Sequence, residues 1–279
     1  MGSTGLNMAF LRTIAALPHA LDDAEQLRSR LDDRMPALFL DYDGVLTPIV
    51  DDPADATLDR RERAAVVRAA EHVPVAVISG RDLDDVRAMV DVPGLAYAGS
   101  HGFDMLLPNG GRERYGEEFL ADLDQAEQEL HAAVDDIRGV RVERKAFAIA
   151  VHTRQAPGPD ERKRAETAVA AAADRHPRLR VTGGKHIQEL RPGIEWDKGR
   201  ALSRLMARLD LDQQAYAPIY VGDDITDEDA FATIADTGIG IVVAEQEDRE
   251  TLAVLRLDDP AETAELLDLI VTLSKESRR

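Results

Sequence analysis

The chain has 279 residues and carries 34 lysines and arginines against 53 aspartates and glutamates, a net charge of −19 that argues against unspecific binding to nucleic acid or an anionic membrane. That length suffices for one large domain or two modest ones, and the changes of pattern along the chain favour two. With no cysteine, disulfides and thiolate–zinc chemistry are excluded and a cytoplasmic location is expected; no apolar run approaches the ~20 residues that span a bilayer, and no apolar signal core follows a basic N-terminal flank.

Met1–Asn7 reads as a start-site remnant ahead of Met8, and residues 8–34 read as helical. The apolar run Ala37–Leu40 is the first core strand. A helix over 59–71, the strand Val75–Ile78 and a helix over 82–90 follow. Then the pattern changes. Phe103–Leu107 and Arg112–Tyr115 flank a turn at Pro108–Gly111, and Glu117–Ile137 is a long polar helix with apolar positions at Leu120, Leu123, Leu130 and Val134. Strands at Val140–Glu143 and Phe147–His152, a break at Pro157–Pro159, a helix over 160–175 and two strands around Val181 and Ile187–Leu190 complete an αββαββ insert, expected as a mobile cap. The core resumes near Arg191, with a helix from Gly199 to Leu209 and a strand at Ile219–Val221.

Three of these strands end in polar groups: Asp41-Tyr42-Asp43-Gly44, Ser79-Gly80-Arg81 and Gly222-Asp223-Asp224-Ile225-Thr226-Asp227-Glu228. Open α/β sheets bind ligands outside the carboxyl ends of their strands, so the three clusters are expected to meet. Alternation along an extended segment puts Asp41 and Asp43 on one side and Tyr42 on the other. Asp197 reads as a helix N-cap with Lys198 in the first turn, where a cation opposes the helix dipole; that placement makes sense if Lys198 faces an anion. Taken singly, each cluster also fits a strand end, a turn, a capping pair or a solvated lysine.

Together they suit phosphoryl transfer, which depends on positioning and on neutralising phosphate oxygens. Asp41 can be the nucleophile, splitting one displacement into two through an acyl phosphate. Asp43 can protonate the leaving oxygen and then deprotonate water. Ser79, the N–H groups near Gly44 and Gly80, and Arg81 can hold the phosphate, and Lys198 supplies fixed positive charge. A carboxylate approaching a phosphate dianion calls for a hard cation, and Mg²⁺ fits an all-oxygen set: Asp41, Asp223, the Asp43 carbonyl, and Asp224 as a ligand or just behind the ligands. Asp227 or Glu228 is expected to cap the next helix.

These four motifs resemble those of the haloacid dehalogenase superfamily. Ser79-Gly80-Arg81, Ala98-Gly99-Ser100-His101-Gly102, Glu143-x-Lys145, His152-x-Arg154, Glu189-Leu190-Arg191-Pro192 and Gly222–Glu228 are, more narrowly, similar to signatures of trehalose-6-phosphate phosphatases, over about Pro36 to Leu273. The resemblance implies an α/β fold: a Rossmann-like core with a parallel sheet, residues 1–107 and 191–279 including a helical segment 1–34, and an inserted α+β cap, 108–190. It implies Mg²⁺-dependent hydrolysis of trehalose 6-phosphate to trehalose and phosphate through an aspartyl-phosphate, the last step of trehalose biosynthesis. A monomer with a functional link to a trehalose-6-phosphate synthase is expected.

Within that resemblance Glu143, Lys145 and Glu189 contact the disaccharide, and His101, His152 and Arg154 join them as substrate-binding candidates. The residues alone leave alternatives open: Glu143 and Lys145 fit a surface ion pair, and His152 a half-buried strand histidine. His101 follows Gly99-Ser100, where small residues permit close approach. Another sugar-phosphate phosphatase, for sucrose phosphate or mannosylglycerate phosphate, is the alternative enzyme, and a non-catalytic sugar-phosphate sensor the alternative class.

Overall fold

Near-continuous apolar strands need cover on both faces, and this chain supplies it by alternating them with helices. The computed structural model describes residues 11–50, 52, 55–184, 186–244 and 248–277, so the expected start-site remnant Met1–Asn7 and Met8 lie outside the described residues. The elements run β1 (Arg12–Thr13), α1 (Ala24–Leu31), β2 (Met35–Leu40), α2 (Arg60–Ala70), β3 (Val75–Ile78), α3 (Leu83–Val90), β4 (Ala96–Gly99), β5 (Asp104–Leu106), β6 (Arg112–Arg114), α4 (Leu120–Val134), β7 (Arg141–Lys145) and β8 (Ala148–His152). They continue with α5 (Pro159–Arg175), β9 (Leu179–Gly184), β10 (Ile187–Pro192), α6 (Lys198–Arg208), β11 (Tyr216–Gly222), α7 (Glu228–Ile234), β12 (Ile239–Val243), β13 (Glu250–Thr251), β14 (Leu255–Leu257) and α8 (Pro260–Ser277). Contacts divide the chain into two units, one of residues up to Glu113 together with Trp196 onward, the other Arg114–Glu195.

The first unit is built on an eight-stranded sheet in the order β14-β12-β11-β2-β3-β4-β5-β6. Its strands from β14 to β4 pair in parallel, and β5 turns back antiparallel to β4. Leu38, Leu40, Val75, Val77, Ile219 and Val221 point into one core with the buried sides of α2, α3 and α8. The alternate residues face the other side, where Tyr220 meets Phe231 of α7 edge-on at 5.6 Å. With β2 and β11 paired from Tyr216↔Met35 to Val221↔Leu40, the two strands end together, which sets Asp41 beside the Gly222–Asp223 turn.

Two sequence expectations change here. Residues 8–34 are not one helix: among the described residues of that range, Ala24–Leu31 is the only α-helix, preceded by a 3-10 turn at Ile14–Ala16. Pro18 disfavours helical backbone at Leu17, which is extended, and the Asp23 side chain starts α1 by accepting from the N–H groups of Glu25 and Gln26. The unit boundaries also move, from 107/108 and 190/191 to 113/114 and 195/196, because β5 and β6 extend the core sheet and β10 runs on to Pro192. β4 was not anticipated as a strand.

The second unit follows the αββαββ order. Its antiparallel sheet, β7-β8-β10-β9, buries Ile149, Val151 and Leu190 against Leu123, Ala126 and Leu130 of α4 and Ala165, Val169 and Ala172 of α5. Spacings of three and four along each helix make that apolar stripe. Register alignment of Glu143, Ala150 and Glu189 across β7, β8 and β10 puts these residues on the opposite face of the sheet.

Candidate active site

Asp41 is the first residue past β2, and its N–H still donates to the Val221 carbonyl at 2.9 Å, so the ladder to β11 fixes its backbone. Its side chain is almost fully buried. One carboxylate oxygen accepts from the Tyr42 N–H at 2.6 Å and the other from Lys198 Nζ at 2.5 Å. Tyr42 does face away: it is buried in the core, and its hydroxyl donates to the Ala56 carbonyl at 2.6 Å.

Lys198 comes from the first turn of α6, whose N-cap is the expected Asp197, accepting from the Arg200 N–H at 2.8 Å. The ammonium is buried and donates to Asp227 Oδ1 at 2.7 Å as well as to Asp41. Burial would lower its pKa, but the charges of Asp227 and Asp41 outweigh that and hold it above the ordinary lysine value. The adverse helix-dipole placement noted from sequence is thus offset by two carboxylates.

Asp227, offered together with Glu228 as a helix cap, also organises this end of the sheet. Its Oδ1 accepts from Lys198 and from the buried Tyr220 hydroxyl, and its Oδ2 accepts from the N–H groups of Asp223 and Asp224, each at 3.0 Å. Asp41, Asp223 and Asp227 each bring a carboxylate oxygen within 4.8 Å of the others. Asp227 already accepts four hydrogen bonds, so Asp41 and Asp223 are the pair left to meet a cation. Burial pushes the Asp41 carboxyl up to about 7, against the pull of Lys198, and burial together with Asp41 and Asp227 pushes Asp223 up to about 8. Two such carboxyls, with oxygen as the donor throughout, suit a hard divalent cation. Gly44 makes their approach possible: its φ is +74°, and a Cβ there would fall 2.1 Å from Asp223 Oδ2.

Asp224 was expected as a ligand or just behind the ligands. It is not one of the converging carboxylates; its Oδ1 accepts from the Thr226 N–H and hydroxyl at 2.8 and 2.7 Å, which makes it the N-cap of the turn 225–227. Of the two residues offered as caps, Asp227 takes the role, its Oδ2 accepting from the Asp224 N–H in a capping box, while Glu228 pairs with Arg249. Asp43 also stands apart from the cluster, with both carboxylate oxygens gripped by Arg81 at 2.8 and 2.6 Å.

The Ser79–Arg81 turn follows β3 and is laced to the segment after β4. Ser79 N–H donates to the Ala98 carbonyl, His101 N–H to the Ser79 carbonyl and Ser100 N–H to the Arg81 carbonyl, at 2.8, 2.8 and 2.6 Å. Ser100 and His101 both adopt left-handed backbone, with φ of 49° and 56°. Such residues cost roughly 1–3 kcal/mol each and persist where surroundings impose them. The result seats the His101 ring on Gly80, where a Cβ would lie 2.8 Å from the imidazole.

On the face of the second unit's sheet away from α4 and α5, Glu143 and Lys145 do not pair with each other. Glu143 Oε2 lies 2.7 Å from His152 Nε2, and Lys145 Nζ donates to Glu189 Oε1 at 2.7 Å. Arg191 donates to the other Glu189 oxygen, and this double partnership outweighs burial to hold the Glu189 carboxyl down at about 2. Ala148 and Ala150 stand between these charged groups, and the methyl side chains leave the charges standing above the sheet. Arg154 lies in the turn after β8. Residues that the sequence reading missed are Tyr220 and Arg249; the only signal for Tyr220 was its place in the strand just before Gly222-Asp223.

The family model described as trehalose-phosphatase matches residues 39–261. The trehalose-phosphate phosphatase of Mycobacterium tuberculosis (strain ATCC 25618 / H37Rv) is 42% identical over 271 residues, 95% of this chain and 68% of that protein. The structure of the C. albicans trehalose-6-phosphate phosphatase C-terminal domain aligns with a TM-score of 0.73 at 23% identity, covering 92% of this chain and 98% of that one. A haloacid dehalogenase-like hydrolase from Bacteroides thetaiotaomicron aligns with a TM-score of 0.62 at 15% identity, over 85% and 100%. These two structures bear on the fold, the sequence matches on the family, and with most of its length matched this chain belongs to the trehalose-phosphatase family and is a phosphatase.

Proposed function

We propose that this chain removes the phosphate of trehalose 6-phosphate by way of a phosphorylated Asp41, with Mg²⁺ as the cofactor. The observation that carries the mechanism is the buried Asp41, positioned by backbone on one side and by Lys198 on the other. In the first step an Asp41 carboxylate oxygen forms a bond to phosphorus while the bond from phosphorus to the sugar oxygen breaks, and Asp43 delivers a proton to that oxygen. In the second, Asp43 takes a proton from water, the water oxygen bonds to phosphorus, and the Asp41–phosphorus bond breaks to give inorganic phosphate and the free carboxylate. Lys198, held by Asp227, keeps a positive charge against Asp41 throughout. Ser79 and the N–H groups around Gly44 and Gly80 take the phosphate oxygens, with Arg81 as the cation beside them.

Mg²⁺, when bound, offsets the repulsion between carboxylate and phosphate and polarises the phosphoryl group. Asp41, Asp223 and the Asp43 carbonyl would hold it, with Asp224 behind them through its cap on the Asp223–Asp227 turn.

Sugar recognition is assigned to Glu143, Lys145, His152, Arg154 and Glu189 of the second unit and to His101 beside Gly80. What supports this is a sheet face carrying paired charges over alanines, suited to donating to and accepting from sugar hydroxyls. The reading extends to a monomer, and to the cytoplasm, the latter supported by a cysteine-free composition. A phosphorylated disaccharide needs a glycosyl transfer onto a sugar phosphate to supply it, which is the sense of the link to a trehalose-6-phosphate synthase.

The test is phosphate release from a panel of sugar phosphates and a small aryl phosphate, by the wild type and by Glu143→Ala, Lys145→Ala and Glu189→Ala. Each variant should lose at least about tenfold on trehalose 6-phosphate, roughly 1.4 kcal/mol, and little on the aryl ester. Equal losses on both substrates, or a preference for another sugar phosphate, would overturn the specificity assignment.

A further inference from the structure

We infer that Arg249 is a positioning residue for the cation-binding turn, an inference that rests on Asp223 being a metal ligand. Asp223 sits just after β11, and both of its backbone hydrogen-bonding groups are engaged. Its N–H is fixed by Asp227 at 3.0 Å, and its carbonyl accepts from Arg249 Nη2 at 2.7 Å. With the peptide groups on either side of its Cα anchored, only the two side-chain torsions remain to aim the carboxylate. Packing of that carboxylate against Gly44 restricts these too. Asp227 is part of the motif that brought this turn to notice; Arg249 comes from a separate segment more than twenty residues downstream.

Arg249 is itself held from behind. Its carbonyl accepts from the Ile14 N–H at 3.0 Å, next to the short ladder in which β1 and β13 pair Thr13↔Glu250 and Arg12↔Thr251. Its Nη1 lies 3.2 Å from Glu228 Oε1, and the other Glu228 oxygen accepts from the Leu252 N–H at 2.8 Å. That pairing has an electrostatic consequence. A guanidinium next to a cation site repels the cation, and the Glu228 carboxylate beside it lessens that repulsion while the guanidinium holds the Asp223 carbonyl. Glu228, which was expected to cap a helix, thereby acquires a role.

The experiment is calorimetric titration of Mg²⁺ into the metal-free protein, alongside the Mg²⁺ dependence of phosphate release, for the wild type, Arg249→Gln, Arg249→Lys, Glu228→Gln and Asp223→Asn. Arg249→Gln should weaken Mg²⁺ binding about tenfold, the scale of losing one charge-assisted hydrogen bond, and its activity should recover when Mg²⁺ is raised. Arg249→Lys should restore part of the affinity. Glu228→Gln should weaken binding more at low salt than at high salt, since it removes a counter-charge from the guanidinium. Unchanged Mg²⁺ affinity in folded Arg249→Gln, with only a lower melting temperature, overturns the inference; if that variant does not fold, unchanged affinity in both Arg249→Lys and Glu228→Gln does so. Wild-type affinity in Asp223→Asn would instead overturn the metal assignment on which the inference rests.

Discussion

Arg81 holds Asp43 at two points, Nε to Oδ2 and Nη2 to Oδ1, and its guanidinium also lies 5.4 Å from the centre of the Tyr42 ring. In this arrangement each Asp43 oxygen accepts one hydrogen bond from Arg81. A phosphate oxygen competing for Arg81 is a natural way to open one of these bonds and turn Asp43 toward the leaving group.

The first prediction concerns Asp43. Asparagine in its place can still accept from Arg81 but has no acidic proton. Asp43→Asn should lose about 100-fold or more in kcat on trehalose 6-phosphate, whose alkoxide leaves poorly, and far less on an aryl phosphate, whose leaving oxygen needs little protonation. Steady-state kinetics on both esters test this. Equal losses would remove Asp43 from the acid role.

A second prediction follows from the Asp41–Lys198–Asp227 chain. Lys198→Met preserves much of the side-chain volume but leaves two buried carboxylates with no cation between them. Breaking a buried pair in this way costs on the order of 3–5 kcal/mol. Urea denaturation of the metal-free variant should show a loss of that size, and Mg²⁺ should recover part of it. Phosphate release should fall by about 1,000-fold or more, since a fixed charge that stabilises the reacting group is gone. A variant as stable as the wild type without metal would mean that Lys198 is not the counter-charge of this cluster.

Much of this cluster was legible because strand ends are legible. Apolar runs ending in Asp41, Ser79 and Gly222 mark parallel strands, and parallel strands bring their carboxyl ends to one edge whatever the sequence separation. Lys198 could be read too, because a lysine in a first helical turn is out of place unless it meets an anion. What pattern could not give was the division of work among carboxylates of one turn. Asp223, Asp224, Asp227 and Glu228 look alike in sequence, and only the backbone of the turn decides that Asp224 meets Thr226, Asp227 meets Lys198 and Glu228 meets Arg249. The N-terminal reading failed for a related reason: helical periodicity over 8–34 ignored Pro18, and the strand pairing of Arg12–Thr13 depends on a partner far along the chain. The hairpin at β5 and β6 looked like the start of the insert because its turn signals are local, whereas its sheet membership is not.

The third prediction concerns acid stability of the second unit. Glu189 is held down at about 2 against an ordinary value of 4.5, by Lys145 and Arg191 acting against burial. A depressed carboxyl contributes stability that is complete above its unfolded value and lost as pH falls through its folded value. The contribution should be full near neutrality and fade between about pH 4.5 and pH 2. In Glu189→Gln the two cations face each other without a counter-charge, so the gap in unfolding free energy between wild type and variant should be on the order of a few kcal/mol at pH 7 and should narrow as pH falls. Denaturation from pH 7 to pH 3 measures it; a gap that stays constant contradicts the assignment.

The fourth prediction takes the opposite sign. Burial, set against Lys198, puts the Asp41 carboxyl at about 7, and burial with the neighbouring carboxylates puts Asp223 at about 8, both far above the ordinary 3.8. Between the unfolded and folded values the native state keeps protons that the unfolded chain has released, so stability declines as pH rises across that window. Metal-free protein should therefore lose stability progressively from about pH 4 to pH 8 and level off above it. Mg²⁺ requires ionised carboxylates, so binding at pH 7 should expel about one proton, and affinity should rise with pH across the same range. Calorimetry at pH 7 in buffers of different ionisation enthalpy counts the released proton directly, and melting curves with and without Mg²⁺ follow the stability slope. If binding releases no proton and the metal-free protein keeps its stability from about pH 4 to pH 8, both carboxylates are already ionised before the cation arrives, and Lys198 alone compensates their charge.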